Sequence, residues 1–421
     1  MVNKVIDRLT VSARVRAGRI TDSRMVSVVF LLSFALTLAT LAGSQVKASD
    51  PGVFPDRIVF GQTGPFSGRT ERIANSLAWG IRAAFDEVNS QGGINGRRLE
   101  LLSKDDAYNP AKTKEIAQSF IDSNEIFAFI GSVGTPTGRV TAALADQYGL
   151  PFISPYTGAE FLRSKQRYGT VVNLRPAYSE ETKAWIEYLT GIGIDRIAVF
   201  YRDDAYGRTG LRGVMQELRK RELLLAARGS HARNLTVASS AVWDIRQAEP
   251  QAIGIVSSYA ATSSFIRNAR LQGLNPKFVS LSAVGSEALI DELGDDAQGV
   301  LISQVMPSTN DHSVPLVAQF NRAMDAYAMR NDLDSDSWLS YIAFEGYLAA
   351  RFVIQVLQSA DEGEPTRKAL LDHIFDTQEF EIGGIDLHFE EGQNQGLHTV
   401  YMTEVGRNNQ IVVLDSIDVR D

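Results

Sequence analysis

Cysteine is absent from this 421-residue chain, which excludes disulfides, thiol catalysis and lipid attachment at an N-terminal cysteine. Histidine is scarce. The five are His231, His312, His373, His388 and His398; none lies at metal-ligand spacing with another, so they read as surface or structural residues. No metal site and no cofactor is expected. Signatures of common chemistries are missing too: no GxGxxG follows the first predicted strand, and GxxxxGKS/T, GxSxG and HExxH do not occur. The nearest imitation, GPFSG from Gly64 to Gly68, falls one residue short of a nucleophile elbow. Asp105-Asp106 and Asp203-Asp204 are adjacent pairs at strand ends, where neighbours point to opposite sides, so neither is a shared-proton dyad. These absences argue against an enzyme.

Basic charge is concentrated at the start. Arg14, Arg16, Arg19 and Arg24 precede an uncharged apolar run from Met25 to Leu41, and Val46-Lys47-Ala48 places small residues where a signal peptidase reads. Residues 1–48 therefore read as a cleavable signal peptide with a long basic leader. The apolar run is short for a spanning helix. Cleavage leaves 35 Lys/Arg against 48 Asp/Glu, a formal charge of −13. That balance argues against nucleic acid or an anionic membrane surface as partner. The expected location is the bacterial periplasm, and the remaining length is ample for two cored domains.

What is present is alternation. Arg57–Gly61 is a predicted strand, followed by a Gly-rich turn and a helix over 72–90 whose apolar positions Ile73, Leu77, Ala78, Ile81, Ala84, Phe85 and Val88 keep helical spacing. Further strands are predicted at 99–102, 127–130, 151–154, 171–174, 197–201, 252–257 and 278–280. Helices are predicted over 111–123, 180–191, 262–271, 316–330 and 341–357. DDAYGRTG reads as a loop before another helix ending near Arg221. Such alternation implies an α/β fold with parallel sheets. From Phe380 to Val413 the pattern changes to strand runs broken by GG, EEGQNQG and GRNNQ, an antiparallel tail.

The stretch Phe127 to Leu144 carries the most specific local signal. A buried strand ends at Gly131, and Thr135-Pro136 reads as an N-cap and first helical residue. The plain reading is a capped helix; the functional one is an anion seat at its N-terminus. Small polar and aromatic residues recur in the same post-strand position at Ser132 to Thr135, Tyr156 to Gly158, Tyr206-Gly207 and Ser257 to Tyr259. In doubly wound sheets that edge binds ligand.

With GQTGPFSG, NSQGGINGRRLELLSKDDAYNP, FIGSVGTPTG, LPFISPYTGAEF, RIAVFYRDDAYGRTG and NARLQGLNPKF in this order, the chain resembles the bacterial periplasmic solute-binding proteins of the branched-chain amino acid type, from about Arg57 to Val413. The resemblance implies two doubly wound α/β lobes of the type I periplasmic binding fold, joined by a three-crossover hinge with the ligand cleft between them. Lobe one is expected to comprise 57–175 plus 306–395, and lobe two 177–304 plus 397–421. The hinge is expected near Arg175 to Ala177, Val305 to Pro307 and Gly396 to His398. It implies a monomeric receptor that hands its ligand to an ABC permease in the inner membrane. The alternatives are the ligand-binding part of a signalling sensor and, less in keeping with the missing histidine base, a secreted hydrolase using Ser67 or an Asp pair.

By the same resemblance, Thr135 and the loop amides around Ser132 and Gly134 would grip a ligand carboxylate. Tyr156, Thr157 and Gly158 would meet the ligand amine and carboxylate, and Tyr206 and Tyr259 would close from lobe two. One position departs from the family pattern. Where amino acid binders place an acidic side chain against the ligand ammonium, this chain has Ser282. Either Asp204 or Glu287 substitutes, or the ligand has no amine, because an unpaired buried ammonium is costly. Hydrophobic amino acids and amine-free acids, aromatic ones included, are both expected ligand classes.

Overall fold

A computed structural model describes residues 50–233, 239–333, 338–359 and 365–418. The expected signal peptide and the last three residues of expected lobe two lie outside the described residues.

Strand β1 (Arg57–Gly64) is buried at every position but its first, as expected of a strand covered on both faces. Helix α1 (Glu71–Ser90) buries all seven of the periodic apolar positions named above. Next come β2 (Arg98–Asp105), α2 (Pro110–Asp122), β3 (Ala128–Ile130), α3 (Thr135–Gln147), β4 (Phe152–Ile153) and β5 (Val171–Val172). The strands form one parallel sheet in the order β2-β1-β3-β4-β5. Asn109 accepts the amide of Ala111 and caps α2, whose Pro110 needs no donor.

The chain then leaves this sheet. α4 (Tyr178–Gly191), β6 (Ile197–Arg202), α5 (Ala205–Lys220), β7 (Ala227–His231), α6 (Ser239–Arg246), β8 (Ala252–Val256), α7 (Tyr259–Leu271), β9 (Lys277–Ser280), α8 (Ser286–Leu293) and β10 (Leu301–Gln304) build a second sheet. Its parallel part runs β7-β6-β8-β9-β10, the same winding as the first. Two long helices, α9 (Pro315–Asn331) and α10 (Tyr341–Ser359), return to pack on α1, with Arg330 on Asp86 at 3.0 Å and Tyr347 donating to Glu87 at 2.8 Å. After α11 (Arg367–Thr377) and a hairpin of β11 (Glu379–Ile382) and β12 (Ile385–His388), the chain crosses again. β13 (Thr399–Val405) and β14 (Ile411–Asp418) finish the second sheet antiparallel beside β10. The expected antiparallel tail thus divides between a separate hairpin and the edge of the second sheet.

Two of the crossing segments pair with each other. Asn173 donates its amide to Asn394 at 2.7 Å, and Leu397 donates to Leu174 at 2.8 Å. Strand β7 and helices α6, α8 and α11 carry no clear sequence signal: the buried positions of β7 are Gly229 and His231, so no apolar alternation marks it. No helix among the described residues is long and apolar enough to cross a membrane.

Candidate ligand-binding site

Each sheet reverses its winding once, between β1 and β3 and between β6 and β8. The loops beyond the carboxyl ends of strands at such switch points are where open α/β sheets hold ligands. Here the two switch points contribute to one cavity. Pro65 and Thr70 follow β1, while Val133, Gly134 and Thr135 follow β3. Arg202 ends β6, Tyr206 opens α5, and Ser257 and Ser258 follow β8. Together with Ile73, Tyr108, Tyr156, Tyr178 and Ala283 they line a cavity of about 40 Å3. An outer vestibule of about 370 Å3 adjoins it, sharing Thr70, Tyr108, Arg202 and Ser258 and adding Ser67, Arg69 and Arg233 among its walls.

The expected N-cap is corrected by one residue. Gly134, at φ 110°, caps α3 and Thr135 is its first helical residue. Glycine is required twice over: φ is positive, and a Cβ there would stand 2.5 Å from the Tyr108 ring. The Thr135 hydroxyl makes no cap bond; it shares a 2.7 Å hydrogen bond with the Thr157 hydroxyl. Tyr108 stands beside the start of α3, its ring against the Gly134 position, and its phenol oxygen accepts from Arg202 at 2.6 Å. Tyr108 is placed there by two consecutive left-handed residues, Ala107 (φ 49°) and Tyr108 (φ 57°). Asp105 and Asp106 hold that turn, accepting the amides of Ala107 and Tyr108 at 2.9 and 2.8 Å. Asp105 also takes the Ser67 hydroxyl at 2.6 Å, so Ser67 is a loop-fixing residue with a carboxylate for a neighbour.

Arg202 lies between two rings, its guanidinium carbon 4.6 Å from the Tyr108 centroid and 5.2 Å from that of Tyr206. Its Nε stands 2.8 Å from Asp204. Burial works against its charge, but Tyr108 and Asp204 outweigh burial and favour the cation. Asp204 spends its other oxygen capping α5 through the amides of Tyr206 and Gly207. Burial pushes the Tyr108, Tyr156 and Tyr206 phenols above their ordinary range, so they stay protonated donors. The Tyr206 hydroxyl is buried without a hydrogen-bond partner.

Ser282 follows β9 as expected but does not line the cavity. It sits outside the cavity wall in a buried network around Arg175, which donates to its hydroxyl. Arg175 also faces Glu181 at 3.5 Å and Glu345 at 3.7 Å, with all three fully or nearly buried. Glu181 accepts from the Ser282 amide at 2.9 Å and from Ser303 at 2.5 Å. Burial raises both glutamate carboxyls, opposed by Arg175. The Tyr156 ring stands between this network and the cavity, 4.7 Å from the Arg175 guanidinium carbon.

Of the residues expected at the site, Gly134, Thr135, Tyr156 and Tyr206 line the cavity. Thr157 lies behind Thr135, and Gly158 lies against Tyr178, where a Cβ would meet the tyrosine at 2.6 Å. Ser132 turns its hydroxyl back to the amide of Thr63 at 3.1 Å. Tyr259 is buried in the first turn of α7, off the cavity wall. Tyr206 and Tyr259, expected in loops, both lie in helices. Neither expected substitute for an amine partner lines the cavity: Asp204 caps α5, and Glu287 accepts the Tyr341 amide at 3.0 Å in another pocket. Tyr108, Tyr178 and Arg202 escaped the sequence reading. Tyr108 and Arg202 lie in DDAYNP and RIAVFYRDDAYGRTG, stretches that carry the resemblance, and Tyr178 begins an element that reads as structural. Among the described residues no cluster of three or more acidic or histidine side chains is placed to hold a metal.

Residues 57–410 match the family described as periplasmic binding protein. A leucine-specific-binding protein of Salmonella typhimurium is 23% identical over 316 residues, 74% of this chain and 83% of that protein. Among solved structures, a possible leucine/isoleucine/valine-binding protein from Rhodopirellula baltica SH 1 superposes with a TM-score of 0.79 at 29% identity, covering 88% of this chain and 98% of that one. A substrate-binding periplasmic protein from Ralstonia solanacearum gives 0.78 at 27% identity, covering 85% and 99%.

Proposed function

Because the chain belongs to the periplasmic binding protein family, we propose that it is the extracytoplasmic receptor of an ABC importer, working in the periplasm, and that its ligand is a small carboxylate-bearing solute. The observation that carries this reading is the cavity where both switch points meet, walled by donors from both sheets: Thr135 and the α3 N-terminus on one side, Arg202 and Tyr206 on the other. In this reading lobe one is 57–175 plus 306–395 and lobe two 177–304 plus 397–421. A ligand seated on Thr135 gains the contacts of Tyr206 and Arg202 only when the lobes approach, so binding favours the approached form. A permease can read that difference. Ser132, Thr157 and Gly158 serve by holding the loops that carry Gly134, Thr135 and Tyr156. No step of this cycle makes or breaks a covalent bond.

The test is a thermal-shift screen of the chain without its signal segment against hydrophobic amino acids and short-chain or aromatic carboxylates, with hits confirmed by calorimetry. Ligand that binds the folded state raises the melting temperature by mass action. A screen in which no carboxylate does so overturns the reading.

A further inference from the structure

Resting on that receptor reading, we infer that the ligand is a carboxylate with an apolar or aromatic body and no ammonium group, and that Arg202 is the residue that reads its charge. Among the described residues lining the cavity, Arg202 is the one with a charged side chain. The acidic groups nearest by are already committed. Glu181 and Glu345 face the built-in guanidinium of Arg175, while Asp204 divides its oxygens between the α5 cap and Arg202. A ligand ammonium would therefore enter a site with no acidic wall and with Arg175 beyond the Tyr156 ring, so it would lose its hydration and meet a like charge.

The opposite sign is well provided for. Thr135 and the α3 N-terminus lie on one wall and Arg202 on the other, where it donates to the Tyr108 phenol oxygen at 2.6 Å. The acceptor position on Arg202 that the phenol oxygen fills is one that a carboxylate oxygen would take, beside or in place of the phenol. The Tyr206 hydroxyl, buried and unpartnered, is a further donor on the same wall. Such an orphan donor is costly unless something accepts from it. The remaining walls are the faces of Tyr156 and Tyr178 with Pro65, Ile73 and Val133, suited to an apolar body. The cavity is small and shares Tyr108 and Arg202 with the vestibule, whose walls also include Arg69 and Arg233, so a larger body extends in that direction.

Matched pairs test this by calorimetry on the chain without its signal segment: L-leucine against isocaproate, and L-phenylalanine against hydrocinnamate, with hydrocinnamamide as the uncharged control. The amine-free acids should bind about ten-fold or more tighter than their amino acid counterparts and than the neutral amide. In Arg202→Gln the acid and the amide should bind alike, and Arg202→Lys should restore part of the difference. Amino acids binding as tightly as their amine-free partners would leave the receptor reading standing and overturn this one. If nothing in the panel binds, the carboxylate-receptor reading falls and takes this inference with it. An acid preference that survives Arg202→Gln would remove Arg202 from the role. Should that variant not fold, Tyr206→Phe decides the donor wall: hydrocinnamate affinity must drop, and an unchanged value counts against the assignment.

Discussion

At the scale of single residues, the same bond type carries different weight in different surroundings. Thr135→Ala removes a hydroxyl from the carboxylate seat and should weaken binding of a carboxylate ligand by about 1.5–3 kcal/mol, as expected for one bond to a charged group; calorimetry that finds unchanged affinity would refute the seat. Arg175→Met leaves Glu181 and Glu345 buried without their cation, and urea titration should show a loss of about 3–5 kcal/mol. The Arg72–Asp291 pair is shorter, at 2.6 Å, but exposed. Arg72→Ala should cost less than about 1 kcal/mol in the same titration. Asp106 behaves differently again. Burial lifts its carboxyl from 3.8 to about 6, so the folded state binds this proton more tightly than the unfolded chain. Its contribution to stability is greatest below the unfolded value and declines as pH rises through about 6. Asp106→Asn should flatten the pH dependence of unfolding between about pH 4 and pH 6, and a slope equal to that of the unsubstituted protein would show that another group sets it.

Among elements, the contact that fixes the first lobe is helix on helix. Gly80 of α1 and Gly346 of α10 let the two backbones approach until side chains no longer fit between them: a Cβ on Gly80 would stand 1.8 Å from the Ala343 carbonyl oxygen, and one on Gly346 2.2 Å from that of Leu77. In helix interiors glycine is otherwise a poor choice, so its presence twice on facing surfaces marks close packing. Gly80→Ala should force α10 outward and cost about 1–3 kcal/mol or more, measurable as a fall in thermal midpoint. Because α1 also carries Ile73 to the cavity, ligand affinity should fall with it. Elements marked by strong periodicity were legible in the sequence; α1 and the buried strands are examples. Helix α11 was not, since only Leu370 and Ile374 are buried along it and two apolar anchors make no pattern. Tyr259 shows a boundary difference, since its helix begins at Tyr259 rather than at Thr262, and it lies off the cavity wall.

On the scale of the whole molecule, the proposed cycle requires that ligand draw the lobes together, and small-angle scattering should show a smaller radius of gyration with saturating ligand than without it. Identical curves with a ligand proven to bind would exclude closure. The sequence by itself determined that this is an α/β chain of alternating strands and helices, because period and burial are written locally: strands covered on both faces must be apolar throughout, and surface helices must be apolar on one stripe. It also marked the post-strand loops, with their small and aromatic residues, several of which line the cavity. Tertiary structure decided which charges face that edge. Arg175 finds Ser282 and Glu345 from distant parts of the chain, and Arg202 finds Tyr108 from the other sheet. Both arginines end or follow apolar strands and look alike in sequence. Arg175 is paired with carboxylates behind the Tyr156 ring, whereas Arg202, though paired with Asp204, lines the cavity. The reason is that charge pairing depends on distance and dielectric in the folded chain, and neither is encoded by neighbours along it.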